Sequence, residues 1–250
     1  MHFQRAAYFL LFAFYLPVSA WAQTEMTPEQ TEFWDPEVAV VAPGKTSADA
    51  PADALVLIGK GIDLPTLWRT DKSKKVAWTL QGDVLTVTPD SGNLYTKRSF
   101  GSVQVHMEWR APFADTAHKS QHRFNSGLFL ADRYEVQILD SYKNRTYANG
   151  QAGSLYKQHP PLKNAMRPPG QWQTYDIVYN QPHFGPAGQV LDSATVTVLH
   201  NGVLVQNHAV LKGPSVYRGY PKYATHGPAP LSLQDHGNRM QFRNMWVREL

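Results

Sequence analysis

The chain has 250 residues, no cysteine, and 24 Lys and Arg against 20 Asp and Glu, for a formal charge of +4 at pH 7. The absence of cysteine excludes a disulfide framework, so stability has to come from an ordinary core, which about 200 residues can bury. The basic residues are scattered rather than clustered, which argues against a nucleic-acid partner.

In chain order, "MHFQR" supplies a positive start, "AAYFLLFAFYLPVSA" an apolar run, and "AWA" at Ala20 to Ala22 a small-x-small cleavage site. Together they predict a signal peptide over 1–22, cleaved after Ala22, and a periplasmic or secreted mature chain with no membrane span left. The run is short for a span of about 20 residues. Residues 23–53, including "DPEVAVVAPGKTSADAPAD", are rich in Ala, Pro and Asp without periodicity and read as a flexible leader.

A single domain is expected over 54–250, opening with "ALVLIGKGIDLPTLW". Strand signals then dominate: "VAWTL", "DVLTVT", "GSVQVHMEWR", "NSGLFL", "RYEVQIL", "QTYDIVYN", "ATVTVLH", "VLVQNHAV" and "MQFRNMWV". They are short, rich in β-branched and aromatic residues, and mostly bounded by Gly, Asn, Asp or Pro. This pattern predicts an all-β sandwich or jelly roll.

In the stretch ending at Arg110, Val103, Val105, Met107 and Trp109 face one way while Gln104, His106, Glu108 and Arg110 face the other. "RYEVQILDSY" repeats the alternation, with Tyr134, Val136 and Ile138 opposed to Glu135 and Gln137. If the polar faces line a concave groove, Glu135 and Asp140 form a pair able to divide into base and acid. That requires a β-bulge near Leu139 to bring Asp140 round. The plainer alternative is that both carboxyls are solvated surface groups.

"GSLYKQHPPLKNAMRPPGQW", Gly153 to Trp172, is too long for a hairpin connection and suits the wall of a binding site. Tyr156 and Trp172 could stack on a sugar, and Lys157 could donate to an oxyanion. In "LSLQDHGNRMQFRN", Asp235 and His236 close an apolar strand before the turn pair Gly237 and Asn238. A histidine there can serve as general base or metal ligand, or be an ordinary turn residue. Arg243 is expected to pair with a carboxylate such as Glu108.

The ten histidines show no H-E-x-x-H or H-x-H spacing. His118 and His122 stand four apart in a polar loop, where that spacing carries no meaning. No cofactor is required by the sequence, although a divalent metal held by carboxylates and His236 fits it. There is no G-x-S-x-G elbow for serine hydrolase chemistry.

Taken together, "WTLQGDVLTVTPDSGNLYTKRSFGSVQVHMEWRAP", "NSGLFLADRYEVQILDSY", "PPGQWQTYDIVY", "NGVLVQNHAV" and "LSLQDHGNRMQFRNMWVREL" resemble the 3-keto-disaccharide hydrolase family, in order, from about Ala54 to Leu250. The resemblance implies a concanavalin A-like lectin/glucanase jelly roll, and an enzyme that breaks glycosides oxidised at carbon 3. The Glu135 strand is also similar to the E-x-D-x-x-E strand of laminarinase-type glycosidases, with Gln137 and Asp140 departing from it.

The leading expectation is cleavage of 3-keto-glycosides, by elimination and then hydration. Glu135 or His236 would be the base and Asp140 would assist the leaving group. Glu108, Arg110, Gln137, Tyr156, Lys157, Trp172 and Asp235 would contact an oligosaccharide or keto-sugar substrate. A carbohydrate-binding module and a conventional glucan hydrolase remain as rival readings, since one fold hosts all three.

Overall fold

The computed structural model describes residues 26–71 and 75–250. The expected signal peptide and its cleavage position lie outside the described residues. The chain divides into two units, 1–40 and 41–250. In the first, a 3₁₀ turn, Pro28–Thr31, is capped where the Thr27 N–H donates to Gln30 Oε1 at 3.0 Å.

The second unit is built almost entirely of strands. β1 (Leu55–Ile58), the helical turn α1 (Leu64–Leu67), β2 (Trp68–Thr70), β3 (Thr79–Gln81), β4 (Val84–Thr86) and β5 (Leu94–Thr96) precede the long β6 (Val103–Arg110). β7 (Asn125–Leu130), β8 (Tyr134–Leu139) and β9 (Gln173–Asn180) follow, then a ribbon of β10 (His183–Phe184) and β11 (Val190–Asp192). The chain closes with β12 (Thr195–His200), β13 (Val203–Val210), β14 (Ser232–Leu233) and β15 (Gln241–Glu249).

These strands make a sandwich of two antiparallel sheets, as the strand pattern predicts. One sheet runs β13-β12-β9-β6-β15-β4-β3, with β1 also on β15; the other runs β2-β5-β14-β7-β8. Period-two alternation sends one face of each strand inward. Val103, Val105, Met107 and Trp109 of β6 are all fully buried, as are Val136 and Ile138 of β8 and Leu128 and Leu130 of β7. Each large apolar side chain buried this way contributes roughly 1.5–3 kcal/mol.

The outer face of the larger sheet is itself partly covered. The Asn244 side-chain amide and the Trp246 indole N–H both donate to the Ala48 carbonyl at 3.0 Å. Arg248 pairs with Asp53 at 2.7 Å. The expectation of a flexible leader through Asp53 is therefore revised for 41–53, which is held on β15 by these side chains. The polarity of Trp246 and Arg248 at the strand's end is what retains it.

A register shift separates Arg243↔Glu108 from Trp246↔His106, so β15 carries one extra residue against β6. Asn244 takes φ +45 at this bulge. The extra residue lets Arg243 and Asn244 both reach Glu108, at 2.7 and 3.1 Å. The predicted Arg243–Glu108 pair is present.

By contrast, β7 and β8 pair without any shift from Asn125↔Leu139 to Leu130↔Tyr134. The bulge expected near Leu139 is not formed there. Asp140 continues the backbone ladder, donating to the Phe124 carbonyl at 3.1 Å.

Candidate active site

The site is built on β8. Strict alternation puts Tyr134, Val136 and Ile138 into the core and leaves Glu135 and Gln137 on the outer face of the smaller sheet. β8 is the last strand in that sheet's order, yet its free edge is closed by the following loop. Gln137 N–H donates to the Ser154 carbonyl at 2.9 Å, Gly153 N–H to the Gln137 carbonyl at 3.0 Å, and Tyr156 N–H to the Glu135 carbonyl at 3.1 Å. The Glu135 N–H is taken by Ser215 Oγ at 3.0 Å.

Over this strand lies a cavity of ≈ 700 Å³. Glu135 and Gln137 form its floor with Phe129 and Asn125 of β7. Ser120, Gln121 and His122 form one wall, and Tyr147, Tyr156, Lys157, Ser215 and Tyr217 another; Gln234 and His236 come from the segment after β14.

Glu135 is only 6% exposed. Its carboxyl lies across Gly127: a Cβ built there would stand 2.5 Å from Glu135 Oε1, so any side chain at 127 would displace the carboxyl. Among the described residues no hydrogen bond or ion pair reaches that carboxylate. Burial with no compensating partner disfavours the charged form and pushes its pKa up to about 8. A carboxyl poised near neutrality is suited to take and give a proton.

Gln137 is held rather than free. Its amide nitrogen donates to Asn125 Oδ1 at 2.8 Å and to the Ser126 carbonyl at 3.0 Å. It fixes β7 to β8 beside the carboxyl.

The far wall is aromatic and cationic. Lys157 adopts φ +58, which aims its ammonium at the Tyr217 carbonyl, 2.6 Å away. The same ammonium lies 4.3 Å from the Tyr217 ring centroid and 5.7 Å from those of Tyr147 and Tyr156. The hydroxyls of Tyr147 and Tyr156 are hydrogen-bonded to each other at 2.9 Å. Aromatic faces with a cation and neighbouring hydroxyls suit a polyhydroxylated ligand.

Of the sequence-predicted residues, Glu135, Gln137, Tyr156, Lys157 and His236 are brought together here. Asp235 stands beside the cavity without lining it. Its carboxylate accepts from the Gly92 and Gly237 N–H groups, both at 3.0 Å, and so shapes the turn that carries His236. Asp140 is fully buried and turned away, with Arg123 Nε 2.8 Å from its Oδ2. The Arg123 N–H does not point along that contact, which makes it an ion pair more than a directed hydrogen bond. Asp140 therefore lies outside the group that the structure assembles around Glu135.

Glu108 and Arg110 belong to the other sheet, and Trp172 lies just before its strand β9. Glu108 is paired with Arg243, and Arg110 donates to Gln241 Oε1 at 2.7 Å. The guanidiniums of Arg110 and Arg243 lie 4.4 and 4.3 Å from the Trp172 ring centroid. The expectation that these residues join the Glu135 groove is corrected: β6 and β8 lie in different sheets, so their polar faces do not share a groove.

Sequence reasoning missed His122, Tyr147 and Tyr217. The last two sit in "NRTYANG" and "GPSVYRGY", where turn residues flank an aromatic between strands. Loops of this kind commonly carry binding residues. Among the described residues, no group of three or more His, Cys, Asp or Glu could hold a metal ion, although His122, Glu135 and His236 share the cavity.

Comparison with known proteins bears on the fold and the family. A solved structure of a candidate glycosyl hydrolase from Parabacteroides distasonis ATCC 8503 is 44% identical, with a TM-score of 0.84 over 91% of this chain and 98% of that one. Two further candidate glycosyl hydrolases from the same organism are each 18% identical over 79% of this chain, with TM-scores of 0.56 and 0.57 over 94% and 99% of their own lengths, and share the fold. No protein with a curated description matches. The profile of the 3-keto-alpha-glucoside-1,2-lyase-like domain matches residues 55–248, and the chain belongs to that glycoside-cleaving family.

Proposed function

We propose that the protein cleaves the glycosidic bond of 3-keto-glycosides by elimination, with Glu135 as the base. A ketone at carbon 3 acidifies the carbon 2 proton and places the oxygen on carbon 1 where it can leave. Glu135 takes the proton from carbon 2, and the electron pair passes through the enolate into a carbon 1–carbon 2 double bond. The carbon 1–oxygen bond breaks with its pair going to the leaving oxygen. Water then adds back across the double bond.

The observation that carries this reading is the unpaired, buried carboxyl of Glu135, whose pKa is pushed up to about 8. Removal of the carbon 2 proton asks for one tuned base and donors to the enolate oxygen; a carboxylate nucleophile about 5 Å from a second carboxyl does not enter the route. No second acid reaches Glu135 here, because Asp140 is committed to Arg123. That His236, His122 and Lys157 line the same cavity supports a role for them as donors to the ketone or the developing oxyanion.

The test is turnover of a 3-keto-disaccharide beside its unoxidised parent, each with and without chelator. Cleavage of the keto form alone is expected, with kcat/KM rising with pH to a plateau above about 8 as Glu135 becomes the free carboxylate. Chelator sensitivity would make a bound metal part of the oxyanion site. Turnover of neither sugar, with tight binding of both, would overturn the enzymatic reading in favour of a carbohydrate-binding module.

A further inference from the structure

Resting on the elimination reading, the leaving oxygen also needs a proton, and the carboxyl expected to assist it is held by Arg123. We propose that Tyr147 is the general acid for that oxygen, and that Tyr156 supports it by donating a hydrogen bond to the phenolate that forms. Three observations place the pair for this work.

The first is position. Tyr147, Tyr156 and Glu135 line one cavity, with Glu135 at 6% exposure on the floor and Tyr147 at 38% nearer the solvent. A glycoside entering with its keto-sugar inward presents carbon 2 to the floor and its leaving group towards the mouth.

The second is fixation. The Tyr147 ring is seated against Gly150, where an added Cβ would stand 2.0 Å from Tyr147 Cε2. Tyr156 is tied through its own N–H to the Glu135 carbonyl. The two hydroxyls meet at 2.9 Å.

The third is electrostatics. Burial raises both phenols above their ordinary value, which keeps them protonated as an acid must be. The hydrogen bond between them acts in opposite senses, easing ionisation of Tyr147 and opposing that of Tyr156. The Lys157 ammonium lies 5.7 Å from the Tyr147 ring centroid, while Glu135 and Tyr217 oppose negative charge on Tyr147; Glu135 drops that opposition once it holds the carbon 2 proton.

The step balances. Glu135 gains the carbon 2 proton, and Tyr147 gives its proton to the departing oxygen and is left as phenolate. Exchange with water then returns a proton to Tyr147 and removes one from Glu135. No oxidant or reductant enters.

The experiment compares a 3-keto-glucoside bearing a sugar or methoxyl leaving group with one bearing 4-nitrophenolate, which departs without a proton. In Tyr147→Phe, kcat/KM for the first should fall by about 10²–10⁴-fold, and that for the second by about tenfold or less. Tyr156→Phe should show the same leaving-group dependence with a smaller loss. Gly150→Ala, which keeps the hydroxyl but moves the ring, should reproduce the Tyr147→Phe pattern. Equal losses on both substrates would mean that Tyr147 only shapes the pocket, and no loss on either would remove it from the reaction; each overturns the proposal. If the wild-type protein cleaves neither 3-keto substrate, the elimination reading itself fails, and that outcome is separate from any Tyr147 result.

Discussion

The two sheets each present carboxylates on their outer faces, and they treat them differently. On the larger sheet every carboxylate singled out has a partner: Glu108 has Arg243 and Asn244, and Asp176 has His106 at 2.7 Å; Asp53, in the segment lying on that sheet, has Arg248. On the smaller sheet Glu135 is almost as buried as a core residue and has none among the described residues. A paired carboxylate serves the fold. A buried one without a partner carries an unrelieved desolvation cost, and such a cost persists where the group has another use. Polarity and strand position alone do not separate these cases; partnership does.

Removing Glu135 should break this contrast most strongly. Glu135→Gln is expected to lower kcat/KM on a 3-keto-glycoside by about 10²–10⁴-fold with unchanged far-UV circular dichroism. Its stability should change in the opposite sense to its activity. Between the ordinary 4.5 and about 8 the folded protein holds a proton on Glu135 that the unfolded chain has lost, so native stability falls as pH rises through that window. The variant lacks this loss, so urea unfolding at pH 9 should find it more stable than the parent, with little difference near pH 4. Equal stability at both pH values would show that the carboxyl is not desolvated.

Asp140 gives the converse. Asp140→Asn leaves Arg123 without its charge partner inside the fold, at a cost of about 3–5 kcal/mol. The midpoint of denaturant unfolding should drop accordingly, while kcat per folded molecule stays near that of the parent. A collapse of kcat in material still folded would return Asp140 to the chemistry.

The smallest effect is expected from Glu108→Gln. Its partner Arg243 is a third exposed, so solvent screens the pair and the loss should be about 1 kcal/mol or less. Turnover should not move, and a change in kcat/KM would bring the β6 face back into the substrate path.

Much of the fold could be read from the sequence because alternation is a local property. β7, β9 and β13 begin and end where the runs NSGLFL, QTYDIVYN and VLVQNHAV do. The two- and three-residue strands β5 and β14 escaped, since a strand so short has no periodicity to detect; their pairing comes from the sheet around them. The site was legible where it lies on a strand, at Glu135 and Gln137. It was misjudged where it depended on which sheet a strand joins, since the alternation of β6 and β8 is the same and only the topology separates Glu108 from Glu135. Asp140 was misplaced for a related reason: period two states which way a residue points, but not that Arg123 waits there. Tyr147 and Tyr217 lie on loops, whose paths depend on contacts made far along the chain.

The loop that closes the edge of β8 has one more consequence. An outermost strand ordinarily offers a row of unpaired amides to any passing chain, and charged or short strands are the usual defence against such pairing. Here Gly153 to Tyr156 and Ser215 occupy that row, so the strand bearing Glu135 is shielded from intermolecular pairing without a lysine or proline along it. The amides of Glu135 and Gln137 should accordingly exchange with deuterium as slowly as those of interior strands. Because the Tyr156 amide is itself one of the bonds in that row, the backbone that carries this phenol cannot move away from the cavity without unzipping the margin of the sheet.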